Sequence, residues 1–357
     1  MLLRREFLNS LASFAALAGP AAAMVNSSIK SSISAATEDL RWRSFVVETV
    51  PSNDAYRTPV VTRVSLQSIG DLIAIVGDDH VVSIYSHQKQ AYEEHIKRHK
   101  DWVRGCTFSP DGQTLATAGN DRALYLWRVG QWDSPQQIKR HNEAIVEIAF
   151  SPDGNLLATV GFCAKLALYE IPSGRLVTDL TCPCRDMHAV AFSQDGTLLA
   201  AGGRCGTIRT WNVATQKQVS DFTLHRKRIR SVEFTPTNEI VSAGDDQYVR
   251  ITDPNVLSKT RSLPRHASKL YATTVIENQL LATAGSDNLI HIWQLDSLNR
   301  LGSLRGHTGT VSTLTYSQGL LVSGSYDTQV RIWKSDQLGV EDQRTTDRGS
   351  GWNPALK

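Results

Sequence analysis

Histidine, a hydroxyl residue and aspartate recur together along this chain, a combination that in a single copy would suggest nucleophilic catalysis. The sets are His99, Thr117 and Asp121; His225, Ser242 and Asp246; His266, Thr283 and Asp287; and His307, Ser323 and Asp327. Three of them end on an indole six residues past the aspartate: Trp127, Trp293 and Trp333. In the set that begins at His225, Thr252 stands where the aromatic would be. A hydrolytic triad is needed once per enzyme, whereas a structural device is needed once per repeating unit. The recurrence therefore points to a device that holds the fold.

The histidines His99, His141, His225, His266 and His307 follow one another at intervals of 42, 84, 41 and 41 residues, so the double interval hides a unit without its histidine. Each unit carries four short apolar runs, and a period of this length with four strands per unit signals a β-propeller. In one unit Val103 to Phe108 predicts the innermost strand, followed by the turn Ser109-Pro110-Asp111-Gly112. Leu115 to Ala118 and Leu124 to Trp127 predict the second and third strands, and Gln136 to Lys139 a short fourth. The next unit repeats this with Ile145 to Phe150, Ser151-Pro152-Asp153-Gly154 and Leu156 to Thr159.

These residues resemble the WD-repeat family over roughly residues 42 to 334. Units begin near Pro59, His99, His141, Pro183, His225, His266 and His307, which gives an all-β, seven-bladed propeller of four-stranded antiparallel blades. The last unit ends at Ile332-Trp333-Lys334 without a fourth strand, and Arg43 to Val50 has strand character but no unit of its own. This N-terminal strand is expected to complete the last blade and close the ring, which removes exposed sheet edges. The resemblance also implies that the His, Ser/Thr, Asp and Trp of a unit form one hydrogen-bonded chain. The complete chains are then His99–Thr117–Asp121–Trp127, His266–Thr283–Asp287–Trp293 and His307–Ser323–Asp327–Trp333.

Two units depart together. The third has Cys163 at the aspartate position and Tyr169 at the tryptophan position. The fourth has Cys205 at the aspartate position, Ala201 for Ser/Thr, and Pro183 between Cys182 and Cys184 at the histidine position. In a WD-like ring the aspartate turn lies beside the histidine loop, so Cys182, Cys184 and Cys205 are expected to converge, with Cys163 one blade away. A disulfide from Cys205 to Cys182 or Cys184 would replace the lost Asp–His link, with Cys163 a candidate for a second. The alternatives are a four-thiolate metal site, for which C-x-C with two distant cysteines is a weak signature, and inert buried thiols. Cys106 aligns with Ile148, Val190 and Val232 and reads as a core residue.

With 357 residues, 41% of them hydrophobic, and a formal net charge of +3, the chain can bury a large core, and its charge does not suggest a nucleic-acid partner. Residues 1–23 read as an export signal: Arg4-Arg5-Glu6-Phe7-Leu8 resembles the twin-arginine motif, with Leu3 where Ser or Thr is usual, and small residues run to Ala23. Residues 24–41 read as a linker, 42–335 as the propeller and 336–357 as a disordered tail. The expected location is the bacterial periplasm or another exported compartment, or the cytoplasm if the signal does not work. After signal removal no transmembrane anchor is expected.

WD-repeat rings usually act through the face where the histidine loops and aspartate turns emerge. Carried over position by position, the family's contact sites fall on Trp102, Arg104, Phe162, His188, Arg204, Arg228, Arg230, Lys269, Tyr271 and Tyr326. Arginine and aromatic residues concentrate binding energy, and a positive field steers acidic partners. The expectation is a monomeric, non-enzymatic scaffold that binds an acidic peptide or protein segment, with no cofactor and no metal. The competing class is an enzyme or cofactor protein using the axial channel; a third is a structural subunit that uses the rim. At the channel mouth the aligned residues are Thr62, Arg104, Val146, His188, Arg230, Tyr271 and Ser312, a set without carboxylates.

Overall fold

The computed structural model describes residues 42–49, 58–138, 141–277 and 279–335. The expected signal (1–23), linker (24–41) and tail (336–357) lie outside the described residues. Seven four-stranded antiparallel sheets are present, six of them built from four consecutive strands. The seventh joins Val311–Ser317, Leu320–Ser325 and Gln329–Ser335 to Trp42–Glu48. Trp42 pairs with Ser335 and Glu48 with Gln329, so the N-terminal strand closes the last blade as its sequence predicts.

The first strand of every blade packs on the first strands of both neighbours, from Val61–Leu66 through Val311–Ser317 and back, which makes a closed ring. The β-branched and leucine-rich second strands are buried throughout, as in Leu72–Gly77 and Leu280–Gly285. Outermost strands are the most exposed of each blade; in Arg175–Thr181 Leu180 alone is buried. The fourth strand of blade 2 runs from Gln131 to Ile138, longer than the predicted Gln136–Lys139. It contains Pro135, which an edge strand accepts because one row of its N–H groups needs no ladder partner.

Two local features recur at the ends of the blades. On one face the Ser109 hydroxyl bonds Asp111 and accepts the Thr114 N–H at 2.9 Å, with Gly112 at φ +69° closing the turn. On the other face the second strand of blades 1 to 6 ends in a glycine. A Cβ at Gly119 would run into the Trp102 carbonyl oxygen, and the same close approach recurs at Gly161 against Ala144. That approach brings each aspartate turn against its histidine loop.

Candidate interaction face

The histidine loops and aspartate turns share one end of the ring. In blade 2, Asp121 lies 3.0 Å from His99 Nδ1, His99 Nε2 lies 2.9 Å from the Thr117 hydroxyl, and the Trp127 indole N–H donates to that hydroxyl at 2.9 Å. One arrangement satisfies all three contacts: the carboxylate accepts Nδ1–H, and neutral Nε2 accepts the threonine proton. Blade 7 repeats it with Asp327, His307, Ser323 and Trp333 at 2.9, 2.7 and 2.9 Å. Burial alone would raise the Asp121 carboxyl, but the bond from His99 and the backbone N–H groups of Lys100 and Ala123 hold it below its ordinary range. Blade 5 keeps Asp246, His225 and Ser242, and Arg250 adds a bond to Asp246 at 3.0 Å.

Blade 6 corrects the reading of the sequence. His266 meets Thr283 at 3.0 Å and Trp293 donates to Thr283, but Asp287 bonds His291 Nε2 at 2.9 Å instead of His266. His266 Nδ1 is left buried without a hydrogen-bond partner. The cause is a second imidazole four residues after the carboxylate: His291, held from its other side by Ser303 at 2.7 Å, reaches Asp287 first.

Blades 3 and 4 use other chemistry. In blade 3, Tyr169 Oη lies 2.8 Å from His141 Nε2, so the phenol takes the histidine directly. In blade 4, Cys184 and Cys205 form a disulfide, Cα atoms 6.1 Å apart, between the histidine loop and the aspartate turn. The pairing excludes a four-thiolate metal site. Cys163 and Cys182 are free thiols, so neither takes part in a disulfide. Cys182 faces a core with Leu180, Met187 and Val190, and burial pushes its thiol up to about 12. Cys163 Sγ bonds the Lys165 carbonyl. Cys106 is buried among core residues.

At the mouth of the axial channel the arginines are arranged with aromatics and counter-ions. The Arg104 guanidinium lies 5.4 Å from the Trp102 ring and 6.0 Å from the Phe162 ring, bridging blades 2 and 3, while its Nε donates to Asn120. Phe162 meets His188 edge-on at 6.2 Å. Arg230 lies 5.0 Å over Tyr271, which packs edge-on to Tyr326 at 6.3 Å. Two of the cations are offset from within: Arg230 by Asp245 at 3.0 Å, and Arg228 by Asp186 at 2.6 Å, with His188 on the other Asp186 oxygen at 2.7 Å. Burial, then the charge of Arg230, pushes His188 down to about 4, so it is neutral at pH 7. Arg204 and Lys269 are exposed, and Trp102, Phe162 and Tyr326 are 40%, 39% and 46% exposed.

A family model described as the IFT122 first beta-propeller matches residues 60–317. The chain belongs to this propeller family. It is also similar to mitochondrial division protein 1 of Schizosaccharomyces pombe, 41% identical over 56 residues, 16% of this chain and 9% of that protein. The guanine nucleotide-exchange factor SEC12 of Mus musculus is 35% identical over 68 residues, 19% of this chain and 16% of its own length. Phospholipase A-2-activating protein of Xenopus laevis is 42% identical over 59 residues, 16% and 7% of the two chains. The matched part thus spans less than a fifth of each of these relatives.

The propeller's axial channel holds residues that the channel-mouth alignment missed. A cavity of about 250 Å³ is lined by Arg63, Glu147, Arg230 and Glu233, with Ser231, Thr273 and Thr315. Arg63 of blade 1 pairs with Glu147 of blade 3. In the strand registers Gly105 of blade 2 occupies the row of Arg63 and Glu147, so no side chain stands between them. Every first strand carries a β-bulge after its first residue, which shifts the channel-facing row by one position beyond the bulged residue. A bulge has no one-residue signature, so repeat alignment lands on the bulged Thr62 and Val146 rather than on their neighbours. Burial pushes Glu233 up to about 7 despite the Val275 N–H it accepts at 3.0 Å.

Proposed function

We propose that this protein is a non-enzymatic interaction scaffold that holds an acidic peptide or protein segment across the channel mouth. The observation that supports it is the arc of alternating guanidinium and aromatic groups from Trp102 and Arg104 through Phe162 to Arg230, Tyr271 and Tyr326. The aromatic rings give large contact area with few rotamers to freeze, and arginine beside aromatics is the composition of binding hot spots. Because Asp186 and Asp245 offset Arg228 and Arg230, the charge offered to a partner comes from Arg104, Arg204 and Lys269. The arginine pair at the N-terminus supports placing the scaffold in an exported compartment.

The test is binding of a library of acidic peptides by fluorescence anisotropy to the native protein and to Arg104→Glu/Arg204→Glu/Lys269→Glu. These three positions leave the Arg228–Asp186 and Arg230–Asp245 pairs intact, so the variant should fold. Selective, salt-sensitive binding that the variant loses supports the scaffold; equal binding by both rejects the face. A second reading, ligand or catalytic use of the channel, is favoured by Glu233, because a carboxyl poised near 7 in a cavity is suited to proton transfer. Loss of a channel ligand on Glu233→Gln, with peptide binding unchanged, would favour it.

A further inference from the structure

A separate cavity of the propeller lies away from both sites, at the seam where the ring closes. It measures about 590 Å³ and sits between blade 7, including the N-terminal strand, and blade 1. Its wall includes Gly319 of the turn that joins the first two strands of blade 7, so it opens on the face opposite the histidine loops. Phe45, Tyr85, Leu320 and Ile332 supply apolar wall, and His87 and Lys334 supply polar groups.

The rim is tied from both blades. The Gln318 amide donates to the carbonyls of Gln67, Ser68 and Gly70, and the Tyr92 hydroxyl of blade 1 donates to the Glu48 carbonyl of the closing strand at 2.9 Å. The cavity is thus preformed, and its volume suits a small molecule. Three further observations define the occupant. Phe45 is 54% exposed on the closing strand, an aromatic surface that folding leaves uncovered. Among the described residues His87 Nε2 is buried with no hydrogen-bond partner, and burial keeps its imidazole neutral, so it can offer an N–H. The Lys334 ammonium has no ion-pair partner among the described residues.

We propose that this seam cavity binds an amphipathic monocarboxylate, its apolar body against Phe45, Tyr85, Leu320 and Ile332 and its carboxylate facing Lys334 and His87 Nε2. An alkyl or aryl body removes the exposed Phe45 surface from water. The carboxylate accepts from the stranded imidazole N–H and neutralises the ammonium; charge-assisted bonds of this kind are stronger than neutral ones. A cationic amphiphile would set like charge against Lys334, and a sugar would leave the apolar walls unfilled. A ligand that touches both the closing strand and blade 1 favours the closed ring, so binding should raise the unfolding temperature in proportion to ligand excess over Kd.

The experiment is calorimetric titration of the full chain at pH 7.5 with decanoate, decanol and decylammonium, each below its micelle concentration. The expected result is one saturable decanoate site, with decanol and decylammonium at least about tenfold weaker. Lys334→Glu should weaken decanoate by about tenfold or more and remove its advantage over decylammonium. Phe45→Ser should weaken decanoate and decanol together. Lys334 and Phe45 are exposed, so both variants should keep their fold, and circular dichroism checks it. No saturable heat with decanoate, equal binding of decanol, or undiminished binding by Lys334→Glu overturns the proposal.

Discussion

Blades 2 and 4 face the same task, tying the histidine loop to the aspartate turn, and meet it with different chemistry. In blade 2 the tie continues inward, from Asp121 through His99 and Thr117 to Trp127, and so reaches the second and third strands as well. In blade 4 the Cys184–Cys205 bond joins loop to turn and stops, since Ala201 offers no hydroxyl to carry the link on to Trp211. The hydrogen-bonded tie depends on protonation and on every member being satisfied. The covalent tie is indifferent to both and depends on redox state instead. A fold can thus replace a polar relay by one bond where only the outer connection is needed, while the hydrophobic packing around Trp211 serves the inner strands.

That comparison can be broken at either blade. The largest effect is expected from Thr117→Val, which strands a buried imidazole nitrogen and a buried indole N–H at once. At about 1–3 kcal/mol for each stranded group, a loss of about 4 kcal/mol should appear in denaturant unfolding. Cys205→Ser should lose about 3 kcal/mol, the chain-entropy value for a loop of this length. Reductant should lower the unfolding midpoint of the native protein and of Thr117→Val alike and leave Cys205→Ser unmoved. A midpoint of Cys205→Ser that still falls with reductant would mean that another thiol pair carries stability.

The architecture was legible because its signals are local. Ser-Pro-Asp-Gly turns, a histidine every 41 to 42 residues, and an orphan strand at Arg43 each report on their own neighbourhood. What escaped depends on competition or on neighbouring blades. His291 and His266 both lie within reach of Asp287, and nothing in the one-dimensional pattern says which imidazole wins. Arg228 and Asp186 stand 42 residues apart in adjacent blades, so the sequence displays the charges of the face but not their neutralisation. Arg63 and Glu147 were passed over because a bulge displaced the channel row by one residue.

Blade 6 gives a smaller, sharper test of the same relay. Asp327→Asn removes the carboxylate bonded to His307 and should cost about 2 kcal/mol. Asp287→Asn should cost about 1 kcal/mol, because His266 has no bond to lose and His291 keeps Ser303. Equal losses in the two variants, measured by urea unfolding, would mean that Asp287 serves His266 after all.

The smallest effect separates the buried histidines from the channel carboxylate Glu233. Burial holds His141 and His266 at about 4, and burial with the nearby Arg230 and Arg228 charges does the same for His188, while the unfolded chain protonates such groups near 6.5. Between these values the unfolded state binds more protons, so their stability contribution is complete above about pH 6.5 and is lost as pH falls towards 4. Glu233 acts in the opposite sense. Its folded carboxyl titrates at about 7 and its unfolded one near 4.5, so its contribution is present below 4.5 and is lost as pH rises through 7. With His87, His225 and His307 also held down by burial, the histidines outnumber the one glutamate and should make the native protein less stable at pH 4.5 than at pH 7. Glu233→Gln keeps an oxygen for the Val275 N–H and removes the ionisation, so it should gain about 1 kcal/mol at pH 8, the channel's water reducing the full linkage value, and nothing at pH 4.5. Thermal melts of both proteins across that range decide it: curves that stay parallel would mean that water in the channel solvates the Glu233 carboxylate fully, and that the acid loss belongs to the blades alone.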